Sequence, residues 1–253
     1  MFVIRVEGLT VQVGTFRISN VEFEVPTGQY GILMGKTGSG KTTILESLCG
    51  LKKVSSGRIY LMEKNVTHLK PAERGIGFVP QDGALFPTKT VKQQIGFALS
   101  VRKWKQPDID ARVNELAELL GISTLLNRSV VGLSGGERQR IALGRALAPH
   151  PSVLCLDEPL SALDDETRDG MCQLLKSVQE KTGVTTLHIT HNQSEAKLLG
   201  DVAFVIQDGK IVESTQGNSS SKPSRYNSEN DKKTTPTPTE SKTDEQIAQV
   251  KSS

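Results

Sequence analysis

At 253 residues, 36% of them hydrophobic and 23% charged, the chain has enough apolar mass for one large domain or two small ones, with the polarity of a globular protein. Its formal net charge of +3 is too small to argue for a nucleic-acid partner, and no apolar run approaches the roughly 18 residues of a membrane span. Cys49, Cys155 and Cys172 stand singly among apolar neighbours, which argues against a disulfide framework or a thiolate metal cluster and leaves buried packing as their expected role.

The opening MFVIRVEGLT has neither a basic head nor a long apolar stretch, so no secretory signal is read and an intracellular protein is expected. FVIRVEGLTVQVGTFRISNVEFEV alternates and reads as antiparallel strands at an edge. QYGILM follows as an apolar strand, then a glycine-rich turn and the helix KTTILESLCG, with Ile44, Leu45 and Leu48 on one face and Gly50 just beyond. Residues 88–148 read as mostly helical, with Val113, Leu116, Ala117 and Leu120 recurring at i, i+3, i+4 and i+7 before Gly121. The basic patch VRKWK, around Trp104, reads as a solvated helix face.

SVLCL is short and continuously apolar, as in a parallel sheet buried on both faces. TTLHIT and VAFVIQ are further strands, and a turn at Asp208-Gly209 makes QDGKIVE a last hairpin. The fold expected is α/β, a parallel-sheet core with an N-terminal antiparallel β edge and a helical insert at about 88–148. Beyond a folded part of residues 1–215, the Ser, Thr, Pro, Lys and Glu of residues 216–253 predict a disordered polar tail.

GKTGSGKT, residues 35–42, fits G-x-x-x-x-G-K-[ST] between a strand and a helix, the context of a phosphate-binding P-loop. Its glycines let backbone N–H groups wrap a phosphate chain, and the helix N-terminus adds a favourable dipole. Gly35, Lys36, Thr37, Gly38, Ser39, Gly40, Lys41, Thr42 and the following Thr43 are thus the candidate nucleotide-binding residues. Lys41 would reach the β- and γ-phosphates and the Thr42 hydroxyl would bind Mg²⁺. SVLCLDEP then brings Asp157 and Glu158 to a strand's C-terminal end, where open parallel sheets bind ligands. Asp157 is expected to hold Mg²⁺ through water, and Glu158 to polarise an attacking water as general base.

LSGGERQR, residues 133–140, has Ser134 as N-cap and Glu137 three residues on, a capping box for a helix that stops before Pro149. Gly135 and Gly136 leave the first N–H groups bare to an approaching anion. The chain therefore offers a second phosphate-binding terminus besides its P-loop.

With these motifs, residues 1 to about 215 resemble the ATP-binding cassette ATPases, P-loop NTPases of RecA-like fold whose signature is LSGGQ; position 137 here is Glu. In that family the signature of one subunit closes over ATP held by another, so two cassettes sandwich two nucleotides head to tail. The resemblance implies a homodimer or paired cassette with ATP and Mg²⁺, in which Ser134, Gly135 and Gly136 reach across. FVPQD carries Gln81, similar to the Q-loop glutamine that senses Mg²⁺ and couples to a membrane partner. LSALD ends at Asp164, like the D-loop aspartate that crosses the dimer interface, and HITHN places His191 like the switch histidine that contacts the γ-phosphate. Catalysis would then rest on Glu158, His191, Lys41 and Gln81, and the metal on Thr42, Gln81 and Asp157.

His68, His150 and His188 match no motif, and His188 is expected to pack within its strand. Where the family stacks an aromatic on adenine stands Val13; Phe16 is the nearest ring and the substitute assigned. Asn192 replaces a common aspartate.

ERGIGFVPQDGALFPTKTV resembles the importer branch that serves molybdate or tungstate, sulfate, ferric iron, polyamines and maltose, and FEVPTGQYGILMGKTGSGKT leans toward the molybdate/tungstate and sulfate members. Members often carry a C-terminal regulatory β-barrel; a polar tail stands in its place, so regulation of that type is expected to be absent. The resemblance implies a peripheral ATPase on the cytoplasmic face of the membrane, driving a separate integral permease, with a solute-binding protein as indirect partner and no nucleic acid. Three competitors are weighed. The first is the ATPase subunit of an exporter. A non-transport cassette acting on DNA or ribosomes would bring a coiled coil or a second cassette. Another P-loop enzyme, a GTPase or small-molecule kinase, would leave the signature helix unexplained.

Overall fold

The computed structural model describes residues 2–207 and 209–216. Strands β1 (Phe2–Val13) and β2 (Phe16–Pro26) form the expected antiparallel pair. With β4 (Ser56–Leu61) and β5 (Lys64–Asn65) they build a four-stranded sheet of their own, in the order β2-β1-β4-β5. The sequence reading placed neither β4 nor β5.

The second sheet runs β10-β9-β3-β8-β7-β6. Its parallel strands are β3 (Tyr30–Gly35), β6 (Ile76–Val79), β7 (Val153–Asp157), β8 (Thr185–Ile189) and β9 (Val202–Gln207). β10 (Lys210–Gln216) closes it antiparallel to β9. Asp208 of the expected hairpin turn lies outside the described residues, as does the expected tail from residue 217 onward.

Helices α1 (Lys41–Cys49), α2 (Val91–Val101), α3 (Gln106–Leu119), α4 (Gly135–Leu147), α5 (Asp165–Thr182) and α6 (Gln193–Leu199) complete the fold. Two cores explain the continuous apolar runs of the parallel strands. Tyr30, Ile32, Leu154 and Leu156 face the α2–α5 side, where Val113, Leu116, Ala117 and Leu120 are buried. Alternate residues Leu33, Cys155, Leu187 and Ile189 face α1 and the antiparallel sheet. Ile44, Leu45 and Leu48 of α1 are therefore clasped between the two sheets. All three cysteines are buried and unpaired.

Buried arginines fix two helix ends. Arg74 donates to the carbonyls of Ser47 (2.8 Å) and Leu48 (2.7 Å) at the end of α1, and Arg112 donates to Leu147 (2.9 Å) and Ala148 (3.3 Å) at the end of α4. Both reach carbonyls of a helix's last turn, where the regular i to i+4 bonding runs out. The basic patch departs from expectation. α2 ends at Val101, so Arg102 to Lys105 form the turn into α3, and the Trp104 ring lies over His150 at 6.4 Å. Among the described residues no helix is long and apolar enough to cross a membrane.

Candidate functional site

The glycine-rich loop joins the end of β3 to the start of α1. Gly40 caps the helix at φ 104°, a conformation that side chains other than glycine's resist. A Cβ there would stand 2.8 Å from Ile18 Cδ1 and 3.2 Å from Phe16 Cζ, so the missing side chain lets the loop press against β2. No side chain caps α1, which leaves its first N–H groups for a ligand. Ser39 Oγ is buried without a partner. Lys41 is only 5% exposed; its Nζ donates to the carbonyls of Gly35 (3.0 Å) and Lys36 (3.1 Å), inside the curl of the loop.

Two strands away, the wholly buried β7 ends in Asp157. Thr42 Oγ1 donates to Asp157 Oδ1 at 3.2 Å. Burial pushes the Asp157 carboxyl above its ordinary range, and the Thr42 bond works against that rise. Glu158 follows at φ 45°, left-handed and unusual for a glutamate. Its N–H donates to Ile189 O (3.0 Å), and its carbonyl accepts from Ser161 N (3.2 Å) and Ser161 Oγ (2.9 Å), which hold the strained turn. The turn aims one carboxylate oxygen at Lys41 Nζ (4.0 Å) and the other at His191 Nδ1 (3.2 Å).

A cavity of about 560 Å³ gathers Phe16, Thr37, Gly38, Gly40, Lys41, Thr42, Thr43, Gln81 and Glu158. Gly35, Lys36 and Ser39 belong to the loop behind this lining; Asp157 is joined to it through Thr42, and His191 through Glu158. Phe16 lines the cavity and Val13 does not.

Ser134, Gly135, Gly136 and Asp164 do not line it either. Ser134 forms the expected capping box: its Oγ accepts from Glu137 N at 3.2 Å and its N–H donates to Glu137 Oε2 at 2.7 Å. The two glycines also have a packing reason. A Cβ on Gly136 would lie 2.9 Å from Thr167 Cγ2, and one on Gly135 3.2 Å from Leu163 Cδ2, so bare backbone lets α4 start against α5. Asp164 caps α5, accepting from Thr167 N (2.9 Å) and Thr167 Oγ1 (3.0 Å), which hold its carboxyl below the usual range.

Three residues near these motifs were not singled out in the sequence. Arg145 on α4 donates to Ala84 O (2.7 Å) and Gly83 O (2.8 Å), pinning the Gln81 loop to the signature helix. Arg168 on α5 donates to Leu163 O (2.7 Å) and pairs with Glu195 on α6 at 3.6 Å. Glu195 stands three residues after Asn192, the spacing of a helix cap. Asn192 does cap α6, while the Glu195 carboxylate accepts from Thr190 Oγ1 at 2.6 Å. His188 is buried as expected, with Nδ1 2.9 Å from the Tyr30 hydroxyl.

Residues 18–161 match the family model described as ABC transporter. The molybdate/tungstate import ATP-binding protein WtpC of Thermococcus kodakarensis is 43% identical over 211 residues, covering 83% of this chain and 64% of that protein. The chain thus spans just under two thirds of that relative's length. The protein of the same name from Archaeoglobus fulgidus is 46% identical over 202 residues, covering 80% of this chain and 82% of that protein. Among solved structures, a dimeric post-hydrolysis state of the ATP-binding cassette MJ0796 bound to ADP and Pi aligns with a TM-score of 0.74 at 28% identity, over 84% of this chain and 98% of that one. A phosphate-loop cavity, a two-sheet cassette fold and these matches lead to one family: the chain belongs to the ABC transporters.

Proposed function

We propose that this chain is the ATP-hydrolysing subunit of an importer, binding Mg·ATP between two copies arranged head to tail and driving a separate membrane permease. The observation that carries this reading is the convergence of the glycine-rich loop, Gln81 and Glu158 on one cavity. Lys41 would exchange its two loop carbonyls for the β- and γ-phosphates, and Phe16 offers its ring to the base. Glu158 would take the proton of the attacking water, while His191, held at the same carboxylate, would contact the γ-phosphate. Thr42 and Asp157 present hard oxygen donors side by side, a donor set that fits Mg²⁺, with Gln81 lining the same cavity. When bound, Mg²⁺ neutralises charge on the β- and γ-phosphate oxygens.

Ser134, Gly135, Gly136 and Asp164 lie outside the lining, which supports their serving the nucleotide of a second copy. Residues 1–215 are read as the ATPase, with about 88–148 as its helical subdomain. The relatives' names favour an oxyanion cargo such as molybdate or tungstate, delivered by a solute-binding protein; the same reading places the chain on the cytoplasmic face of the membrane.

The test is isolation of the chain from its native membrane in mild detergent and reconstitution into vesicles. A membrane-spanning partner should accompany it, and molybdate or tungstate uptake should need ATP and vanish with Lys41→Ala. Uptake that survives Lys41→Ala, or a chain that hydrolyses ATP without any membrane partner in its native membrane, would refute the importer reading.

A further inference from the structure

Among the described residues only two acidic side chains are buried, Asp157 and Glu195. Asp157 has a place in the proposed chemistry; Glu195 has none. Burying a carboxylate is costly unless it is paired, and apart from the buried His188, whose Nε2 lies 3.7 Å from Oε2, the partners of Glu195 belong to segments that meet the reactive centre. One of its oxygens accepts from Thr190 Oγ1 at 2.6 Å, and that hydroxyl in turn accepts from Asn192 N at 3.0 Å. The turn is thereby pinned on both sides of His191. Such pinning matters because the His191 side chain is 62% exposed and, among the described residues, its ring is held through Nδ1 by Glu158 alone. The other Glu195 oxygen faces Arg168 Nε at 3.6 Å. Arg168 holds the carbonyl of Leu163, the residue before Asp164, at 2.7 Å. Glu158, Ser161, Arg168, Thr190, His191, Asn192 and Glu195 border one small cavity of about 40 Å³.

We infer that Glu195 is a positioning residue for hydrolysis: through Thr190 it sets the His191 turn, and through Arg168 it ties that turn to the Leu163–Asp164 turn, so that the two move together. This rests on the reading of Glu158 and His191 given above and adds the part that aligns them. Contact of a second copy with Asp164 would then reach His191 through two side chains.

The experiment is steady-state ATP hydrolysis by the full chain across ATP concentrations, for the parent, Glu195→Gln, Arg168→Gln and their double variant, with Glu158→Gln as control. Each single change should lower kcat about tenfold, as misplacement of a reacting group does, with KM for ATP within about twofold. The double variant should be no slower than the slower single. Thr190→Val, which removes only the hydroxyl link, should share the kcat loss and takes over the test if Glu195→Gln does not fold. An unchanged kcat, a loss confined to KM, or losses that multiply in the double variant would overturn the inference. Parental turnover by Glu158→Gln would instead overturn the reading of the site; a silent Glu158→Gln beside a fully active Glu195→Gln sinks this inference alone.

Discussion

His191 Nδ1 stands 3.2 Å from Glu158 Oε2, across the ends of the neighbouring strands β8 and β7. The other oxygen of the same carboxylate lies 4.0 Å from Lys41 Nζ, so three segments far apart in the chain meet at one acid. Glu158→Gln keeps the shape and removes the proton acceptor proposed for the attacking water. ATP affinity is expected to stay within about threefold while turnover falls roughly 10²–10⁴-fold, and the ATP-loaded protein should elute as a dimer with light-scattering detection. Parental turnover would strip Glu158 of its role as base.

The separation of the Ser134 terminus from the cavity makes complementation between defective copies possible. Lys41→Ala and Ser134→Arg should each be inactive alone. Random pairing makes half of the dimers mixed, each with one intact site of two, so activity should return to about a quarter of the parent's. A mixture as dead as its components would argue for sites complete within one copy.

Gly136→Ala should weaken the protein through crowding, not through lost nucleotide contact. The new Cβ would meet Thr167 Cγ2 at 2.9 Å, and easing α4 off α5 should cost about 1 kcal/mol net of the better helix propensity of alanine. Thr167→Ser deletes that methyl and keeps the hydroxyl that Asp164 accepts. The double variant should therefore recover the parental urea midpoint, and failure to do so would place the cost elsewhere.

Burial drives the pKa of His188 down to about 3, well below its unfolded value of about 6.5. The unfolded chain then binds the extra proton first, so the stability tied to neutral His188 is complete above about pH 6.5 and drains as pH falls toward 3. His188→Gln, which retains a partner for Tyr30, should flatten this limb by up to roughly 1.4 kcal/mol per pH unit. Denaturant titrations of both proteins between pH 7 and 4 measure the difference; parallel curves would show that His188 does not titrate alone in this window.

Much of this site is legible in the sequence because it is made of backbone. Gly35 to Lys41 and Ser134 to Glu137 act through turn geometry and helix ends, which short motifs encode completely. Asp157 was legible for another reason: a P-loop needs a carboxylate partner, and an unbroken apolar strand ending in carboxylates is the right kind of element to supply it. Arg145, Arg168 and Glu195 were not, because each depends on which helix the fold lays beside it. Glu195 three residues past Asn192 looks like half of a helix cap, and only the packing of α5 against α6 turns its carboxylate toward Arg168. β4 escaped notice because Ser56–Leu61 pairs chiefly with β1, far back in the chain, and β5 because it is only two residues long, paired with the end of β4.

The strand order has a consequence for biosynthesis. β3, which leads into the phosphate loop, is flanked on one side by β8 and on the other by β9, with Tyr30 beside Thr186 and Gly31 beside Val202. Both neighbours leave the ribosome only after Gly183. Until then the nascent chain carries its nucleotide loop on a strand with two bare edges, open to mispairing, a hazard of long-range parallel pairing. ATP can therefore reward folding only once β8 and β9 have joined the sheet, and until then the edges of β3 stay unpaired.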